Sequence, residues 1–408
     1  MRKIAVFLVL SMTVISLCAT DVVIKRDRSV MRKGPGSYYT VLKELALNTR
    51  LQLLSQTDSW YNVLYEAQNG FVSVSATKAQ PPRKDIFAGM QAKPGTTVNQ
   101  HSISAGVKGF AAQFNKQFKG SDEFVLYVMD QSLDPVAFEE FLNNTYLDVK
   151  PSCFTKRIAL PERIEPDYYA EAAEGFGLSL ASVIAQQGLY NEPNLLRYIN
   201  QVGCNLVNCS DVPDITFKFF ILDIDAPNAY ACPGGIVFIT RGMLRLMDSE
   251  ADLAFILAHE IAHVSRFHGI KEARQQVNQI AAESVFDELD IDTEGFSSSQ
   301  NIATEKELEQ DMADMFNDLI AGRLDKYELQ ADSLGLLYSA RAGYDSGKVK
   351  DIFSRIYASQ TVSNNEHYRK DSIMARLKAI GPVIDKYTEL KLNFFNHRDR
   401  WQKLKSNL

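Results

Sequence analysis

Residues 257–268 read LAHEIAHVSRFH, and five of them, His259, Glu260, Ile261, Ala262 and His263, decide how the rest of the chain is read. On an α-helix, positions four apart differ by about 40° of rotation and about 6 Å of rise, so His259 and His263 project from one face with converging imidazoles. Two such nitrogens suit a single tetrahedral zinc ion. Glu260 lies about 100° further round, able to reach a water at an open coordination position but badly placed to complete the ligand set. It reads as a general base. Hydrolytic zinc sites use three protein ligands, so the pattern demands a third from elsewhere in the chain.

The best source is Glu328, which opens Glu328-Leu329-Gln330-Ala331-Asp332 inside a helical run over 325–342 that stops at Gly343. Glu328 and Asp332 are four apart and share a face, so the glutamate can take the metal while the aspartate orients a histidine through its second nitrogen. His268 is the competing ligand. It lies five residues after His263, and Arg266 stands where a turn glycine would be needed, so Glu328 is preferred.

A chain of 408 residues with 46% apolar content is long enough for two or three domains. A net charge of −6 and the lack of long Lys/Arg runs argue against a nucleic-acid partner. Residues 1–20 combine Arg2 and Lys3, an apolar run over 4–17 and small residues at 18–20, which predicts a secretory signal rather than a membrane span. Lipidation at Cys18 is disfavoured because Leu17 occupies a position that wants a small residue. No later run approaches spanning length, so the mature chain is expected without a transmembrane segment, exported to the periplasm, the envelope or beyond. Export permits disulfides among Cys153, Cys204, Cys209 and Cys232, but four cysteines allow three pairings and free thiols are equally open. A helix over 195–207 that ran on to Cys209 would hold it about 8.6 Å from Cys204, beyond bridging distance.

Over 22–76, short β-branched or aromatic runs alternate with turn residues, the pattern of a small β-barrel. Its segments VMRKGPGSYYTVL, WYNV and NGFV resemble the bacterial SH3-type domain, which implies a cell-wall or protein ligand; a plain spacer role for Trp60 and Tyr61 stays open. Residues 78–104, with Pro81, Pro82, Pro94 and Gly95, read as a linker. Beyond it, 124–129 suggests a strand and 135–144 a short helix. Strand-like runs at 215–222 and 235–240 flank Asn228-Ala229-Tyr230-Ala231-Cys232-Pro233-Gly234-Gly235, where Pro233 and the glycine pair favour an edge strand or a plain hairpin. As an edge, Asn228, Ala229, Tyr230, Ala231, Gly234 and Gly235 would hold an extended peptide by main-chain hydrogen bonds. Ser249 and Asp252 have capping-box spacing at the head of the helix that carries His259. Residues 264–323 look helical and charged with an acidic break at 287–299, and 349–356 and 372–384 are amphipathic helices.

From about 171 to 380 the chain resembles peptidase family forty-eight, metallopeptidases of the gluzincin type, on four ordered segments: NAYACPGGIVFITRGML, SEADLAFILAHEIAHV, ELQADSLGLLYSARAGYD and EHYRKDSIMARL. The resemblance implies one Zn²⁺ per chain held by His259, His263 and Glu328, Glu260 as base, and Asp332 behind the ligands. It also implies a role near the metal for His367, although Tyr368 and Arg369 replace the prolines usual there. Ile373 stands where relatives often carry a functional arginine, and Arg376 matches a more peripheral one.

The expected fold is α+β: a signal peptide at 1–20, an SH3-like domain at 21–77, a linker at 78–104, a mainly helical zinc metallopeptidase domain with a small β-sheet at 105–385, and a charged tail at 386–408. The implied activity is endopeptidase cleavage of unfolded or damaged envelope proteins. Two rivals are a chaperone-like or wall-binding adaptor with a closed or structural zinc site, and a carboxypeptidase trimming wall peptides.

Overall fold

The computed structural model describes residues 21–26, 28–57, 59–80, 121–166, 170–272, 325–359, 370–406 and 408. The expected signal at 1–20, the linker from 81 onward, the acidic break at 287–299 and His367 lie outside the described residues. Two compact units result, Met1–Pro35 with Thr40–Ala79, and Gly36–Tyr39 with Gln80–Leu408.

In the first unit, strands β1 (Asp21–Val23), β2 (Ser29–Arg32), β3 (Val41–Leu45), β4 (Arg50–Gln56), β5 (Trp60–Tyr65) and β6 (Gln68–Ser73) form one antiparallel sheet in the order β1-β4-β5-β6-β2-β3. Glu66 and Ala67 turn β5 into β6 with positive φ at both positions, the twist that a two-residue hairpin requires. Ile24, Met31, Leu45, Leu51, Val63 and Val72 make its core.

The second unit begins with helices α1 (Asp122–Asp130), α2 (Pro135–Thr145), α3 (Ser152–Thr155), α4 (Ala170–Ile184) and α5 (Pro193–Asn208). The strand expected at 124–129 is helical. Ser121 caps the Phe124 amide, and Phe124, Val125 and Val128 bury one helical stripe. That stripe lies against Phe220 and Phe238, and capping plus packing outweigh the β-propensity of the run.

Strands β7 (Lys218–Leu222), β8 (Ala229–Cys232) and β9 (Ile236–Thr240) follow, in the order β7-β9-β8 with β7 parallel and β8 antiparallel to β9. The segment expected at an edge is therefore both an edge strand and one arm of a hairpin. The turn between its arms uses Gly234 and Gly235 at φ 86° and 102°, and a Cβ on Gly235 would meet the Thr216 carbonyl at 2.8 Å. Side chains alternate across this sheet. Phe220, Leu222, Ile236 and Phe238 face α1 and α4, whereas Phe219, Ile221, Ala229, Ala231, Val237 and Ile239 join the large core around α5 and the helices below.

After α6 (Arg241–Leu246) comes α7 (Glu250–Ser265), which carries LAHEIAH and is buried at every position. A helix without a solvated face must partner each polar side chain inside the fold. Helices α8 (Asp325–Arg341), α9 (Val349–Ala358), α10 (Lys370–Thr388) and α11 (Arg398–Lys405) complete the unit. The region expected as a charged tail over 386–408 contains α11, and its Trp401 is fully buried with Nε1 donating to the Met247 carbonyl. The reason is amphipathic packing: the charges lie around one large apolar side chain that finds a slot beside α7. Cys153, Cys204, Cys209 and Cys232 are free thiols, and burial pushes Cys204 up to about 12 and Cys209 up to about 11.

Candidate metal centre

Helix α7 starts as its sequence dictates. Ser249 accepts from the Asp252 amide while the Asp252 carboxylate accepts from the Ser249 amide, closing a capping box. Two and a half turns on, His259 and His263 point the same way, with their Nε2 atoms 3.0 Å apart.

Helix α8 lies directly across α7, close enough that a Cβ on Gly335 would stand 3.0 Å from the His259 amide nitrogen. This contact brings Glu328 to the histidine pair, its Oε2 3.3 Å from His259 Nε2 and its Oε1 3.2 Å from His263 Nε2. Ligands about 2.05 Å from a tetrahedral ion lie about 3.3 Å from one another, so the three donors already have the spacing that zinc needs. Among the described residues these side chains are the one group of three or more His, Cys, Asp or Glu with converging ligand atoms. All three are buried.

Behind the donors stands a fixed shell. Asp332 Oδ1 is 2.9 Å from His259 Nδ1, which leaves Nε2 as the lone pair facing the site. Arg376, from α10, donates to both Asp332 oxygens at 2.8 and 2.7 Å and places Nη1 3.0 Å from Glu328 Oε2. One guanidinium thus holds a ligand and the carboxylate that orients another ligand. Sequence reading gave Arg376 a peripheral place, and no local pattern marks it. The signal available was its helical spacing from Ile373 and Ile380, which are buried on the same face of α10.

His268 does not join the cluster of His259, His263 and Glu328. Its Nδ1 is 2.9 Å from His263 Nδ1 and its Nε2 is 2.8 Å from Gln330 Oε1, with its ring stacked on Tyr327. If His263 Nε2 keeps its lone pair, the proton on its Nδ1 is donated to His268, which in turn donates from Nε2 to Gln330. The two histidines are therefore braced differently, His259 by a carboxylate and His263 by an imidazole.

The electrostatics follow from this arrangement. Burial works against charge on His259, but the adjoining Glu328 and Asp332 carboxylates outweigh it and push the imidazole up to about 9. Burial likewise opposes the Glu328 charge, yet Arg376 and the two imidazoles hold that carboxyl well below its usual range. The glutamate is ionised at neutral pH, and a metal binding here must displace a proton from His259.

Glu260 is buried beside the pair. Tyr230 on β8 senses it: burial raises the phenol, a hydrogen bond with Asn228 opposes that, and the Glu260 charge raises it further. Ala229 and Ala231 turn their small side chains toward the core that contains α7, which lets the β8 backbone lie close to that helix. Asn228 Oδ1 accepts from the Ala229 amide and fixes the start of the strand. Gly234 and Gly235 fall in the following turn, outside β8 itself.

Residues 193–386 match the model of Peptidase family M48. The β-barrel assembly-enhancing protease of Escherichia coli (strain K12) is 40% identical over 80 residues, 20% of this chain and 16% of that protein. A putative β-barrel assembly-enhancing protease of Vibrio cholerae is 29% identical over 173 residues, 42% of this chain and 34% of the relative. Mitochondrial metalloendopeptidase OMA1 of Schizosaccharomyces pombe is 25% identical over 236 residues, 58% and 60% of the two chains. The matched part is less than two thirds of each of these relatives.

Proposed function

Residues 193–386 belong to peptidase family M48, and from that premise we propose that the chain is a zinc-dependent endopeptidase acting on unfolded or damaged proteins of the cell envelope. The observation that carries the reading is the mutual spacing of 3.0–3.3 Å among His259 Nε2, His263 Nε2 and the Glu328 oxygens, with Glu260 as the residue next to the first ligand. Zinc held by these three would polarise the scissile carbonyl and make a water at its open position acidic enough to ionise near neutral pH.

The chain's own groups do the rest. Glu260 takes the proton of the attacking water and returns it to the departing amine. Asp332 and Arg376 keep His259 and Glu328 from rotating as charge develops. The β8 edge, through Asn228, Ala229, Tyr230 and Ala231, aligns an extended peptide past Glu260, with Gly234 and Gly235 shaping its end. A strand-binding site of this type accepts sequence broadly, since it reads backbone, and it requires the substrate to be unfolded locally. Two of the relatives are named for enhancing β-barrel assembly. No described helix is long and apolar enough to cross a membrane. The first unit would supply a docking site for a wall or protein ligand.

The test is Glu260→Gln. That variant should retain about one zinc per chain by elemental analysis while losing casein cleavage by a factor of about 10³ or more. Wild-type turnover by this variant would remove Glu260 as base, and cleavage confined to the ends of short peptides would replace the endopeptidase reading with a carboxypeptidase.

A further inference from the structure

The segment after α10 lies beyond the part of the chain that matches the family model, yet it touches the far ends of both metal-bearing helices. At the head of α7, Glu250 is completely buried. Arg400 of α11 grips it from Nε at 2.7 Å and Nη2 at 2.5 Å, and the hydroxyls of Tyr198 on α5 and Tyr344 donate to the same carboxylate. Arg400 is itself held by Thr145 Oγ1 at 3.1 Å and lies over the rings of Phe141 and Tyr198. The Ala251 amide donates to the Asn396 carbonyl, and Trp401 fills the slot under Met247. At the tail of α8, Phe395 forms a two-way bridge: its amide donates to the Gly343 carbonyl, and its carbonyl accepts from the Asp345 amide, each at 3.0 Å. Gly343 sits at φ 87°, and a Cβ there would come within 2.7 Å of the Phe395 ring.

We propose that Phe395, Asn396, Arg400 and Trp401 act as a positioning staple for the metal centre, with the ion pair between partly buried Arg400 and fully buried Glu250 as its anchor. Tyr344 is the joint, since it follows α8, donates to Glu250 and packs edge-on against Phe395 at 5.1 Å. One short segment therefore ties the start of the helix that bears His259 and His263 to the end of the helix that bears Glu328. Nine residues of rigid helix, about 13.5 Å, separate Glu250 from His259, so a tilt of about 1° at the head of α7 moves the first ligand by about 0.2 Å. Metal–ligand distances tolerate about that much. A residue remote from the ion can thereby set its affinity.

This inference rests on the zinc reading, and the experiment separates the two. Zinc dissociation constants are measured by competition with a chromophoric chelator, at a temperature where circular dichroism shows every variant folded. Arg400→Met, which keeps the stem and removes the fork, should weaken zinc binding about tenfold or more. Arg400→Lys should show a smaller loss in the same direction, and it serves if the methionine variant does not fold. Arg398→Met, which removes the exposed pair with Asp248 from the same segment, should stay within twofold of wild type. Ile184→Val, in the core on the other side of the sheet, should lower the melting midpoint and leave zinc affinity unchanged. Wild-type affinity in both Arg400 variants overturns the staple, as does an equal loss in Ile184→Val at a matched midpoint. A wild-type chain that binds no zinc at all overturns the functional reading and the staple with it.

Discussion

Replacing Gly335 with alanine isolates the contact that sets the distance between the two ligand-bearing helices. Inside a helix, Ala is favoured over Gly by about 1 kcal/mol, so local propensity alone predicts a more stable protein. The added Cβ, however, would stand 3.0 Å from the His259 nitrogen, 3.1 Å from its Cα and 3.4 Å from the Ala258 carbonyl carbon. Those are backbone atoms in the middle of α7, which is buried along its whole length, and no side-chain rotation can move them. Relief requires the helices to part by about 0.4 Å, and overpacking of this kind costs about 1–3 kcal/mol. The net change in stability is then a loss of at most about 2 kcal/mol, a fall of a few degrees in Tm for a unit of this size. The metal site feels more. Glu328 is two turns from Gly335 on α8, and its oxygens face nitrogens on α7, so a parting of about 0.4 Å exceeds the roughly 0.2 Å that the ligand set tolerates. Zinc affinity should fall about tenfold, about 1.4 kcal/mol, in a folded protein. Chelator competition measures it alongside thermal unfolding of the metal-free chain. A variant more stable by about 1 kcal/mol with unaltered zinc affinity would refute the claim that this crossing spaces the ligands.

Asp332→Asn keeps the shape of the residue but removes the charge behind His259, and should weaken zinc binding about 10–100-fold in equilibrium competition. Arg376→Met leaves two buried carboxylates without their common cation, so the metal-free protein should lose about 3–5 kcal/mol in urea unfolding; a loss under 1 kcal/mol would show that the pair is solvated. His268→Phe retains the stack on Tyr327 while deleting the acceptor for His263 Nδ1, and zinc affinity should drop although the fold persists. The His397 imidazole, at the start of α11, is pushed down to about 4 by burial and by the Arg400 charge against a weaker backbone hydrogen bond at Thr145. The unfolded chain then binds the extra proton first, so this group's contribution is complete above about pH 6.5 and is lost as pH falls toward 4. His397→Asn, which tolerates the left-handed φ of 46°, should flatten that part of the stability profile.

Much of this chain was legible because the relevant physics is local. The i, i+4 spacing of His259 and His263, the neighbouring Glu260, the Ser249–Asp252 cap, the Glu328–Asp332 pair and the stop at Gly343 all depend on helical geometry within five residues, and the structure contains each of them in that form. The strand-like runs at 215–222 and 235–240 were readable for the same reason, and they contain β7 and β9. Where a segment's own preference and its surroundings disagreed, the reading failed. Residues 124–129 have strand composition, but a serine cap and a facing pair of phenylalanines make them a helix. Residues after 388 look like charged tail until one sees that Trp401 and Arg400 have buried partners about 150 residues away.

Side-chain identity and periodicity alone determined that two histidines share a face, that a carboxylate adjoins them, and that a second acidic pair exists on another helix. Only packing between distant helices decided which arginine lies behind the cluster, that His268 meets His263 from outside it, and how far apart α7 and α8 stand. The reason is that a helix is written in its own hydrogen bonds, repeated every few residues. The distance between two helices is set by atoms such as the missing Cβ of Gly335 and the fork of Arg400, whose partners are named nowhere near them in the chain.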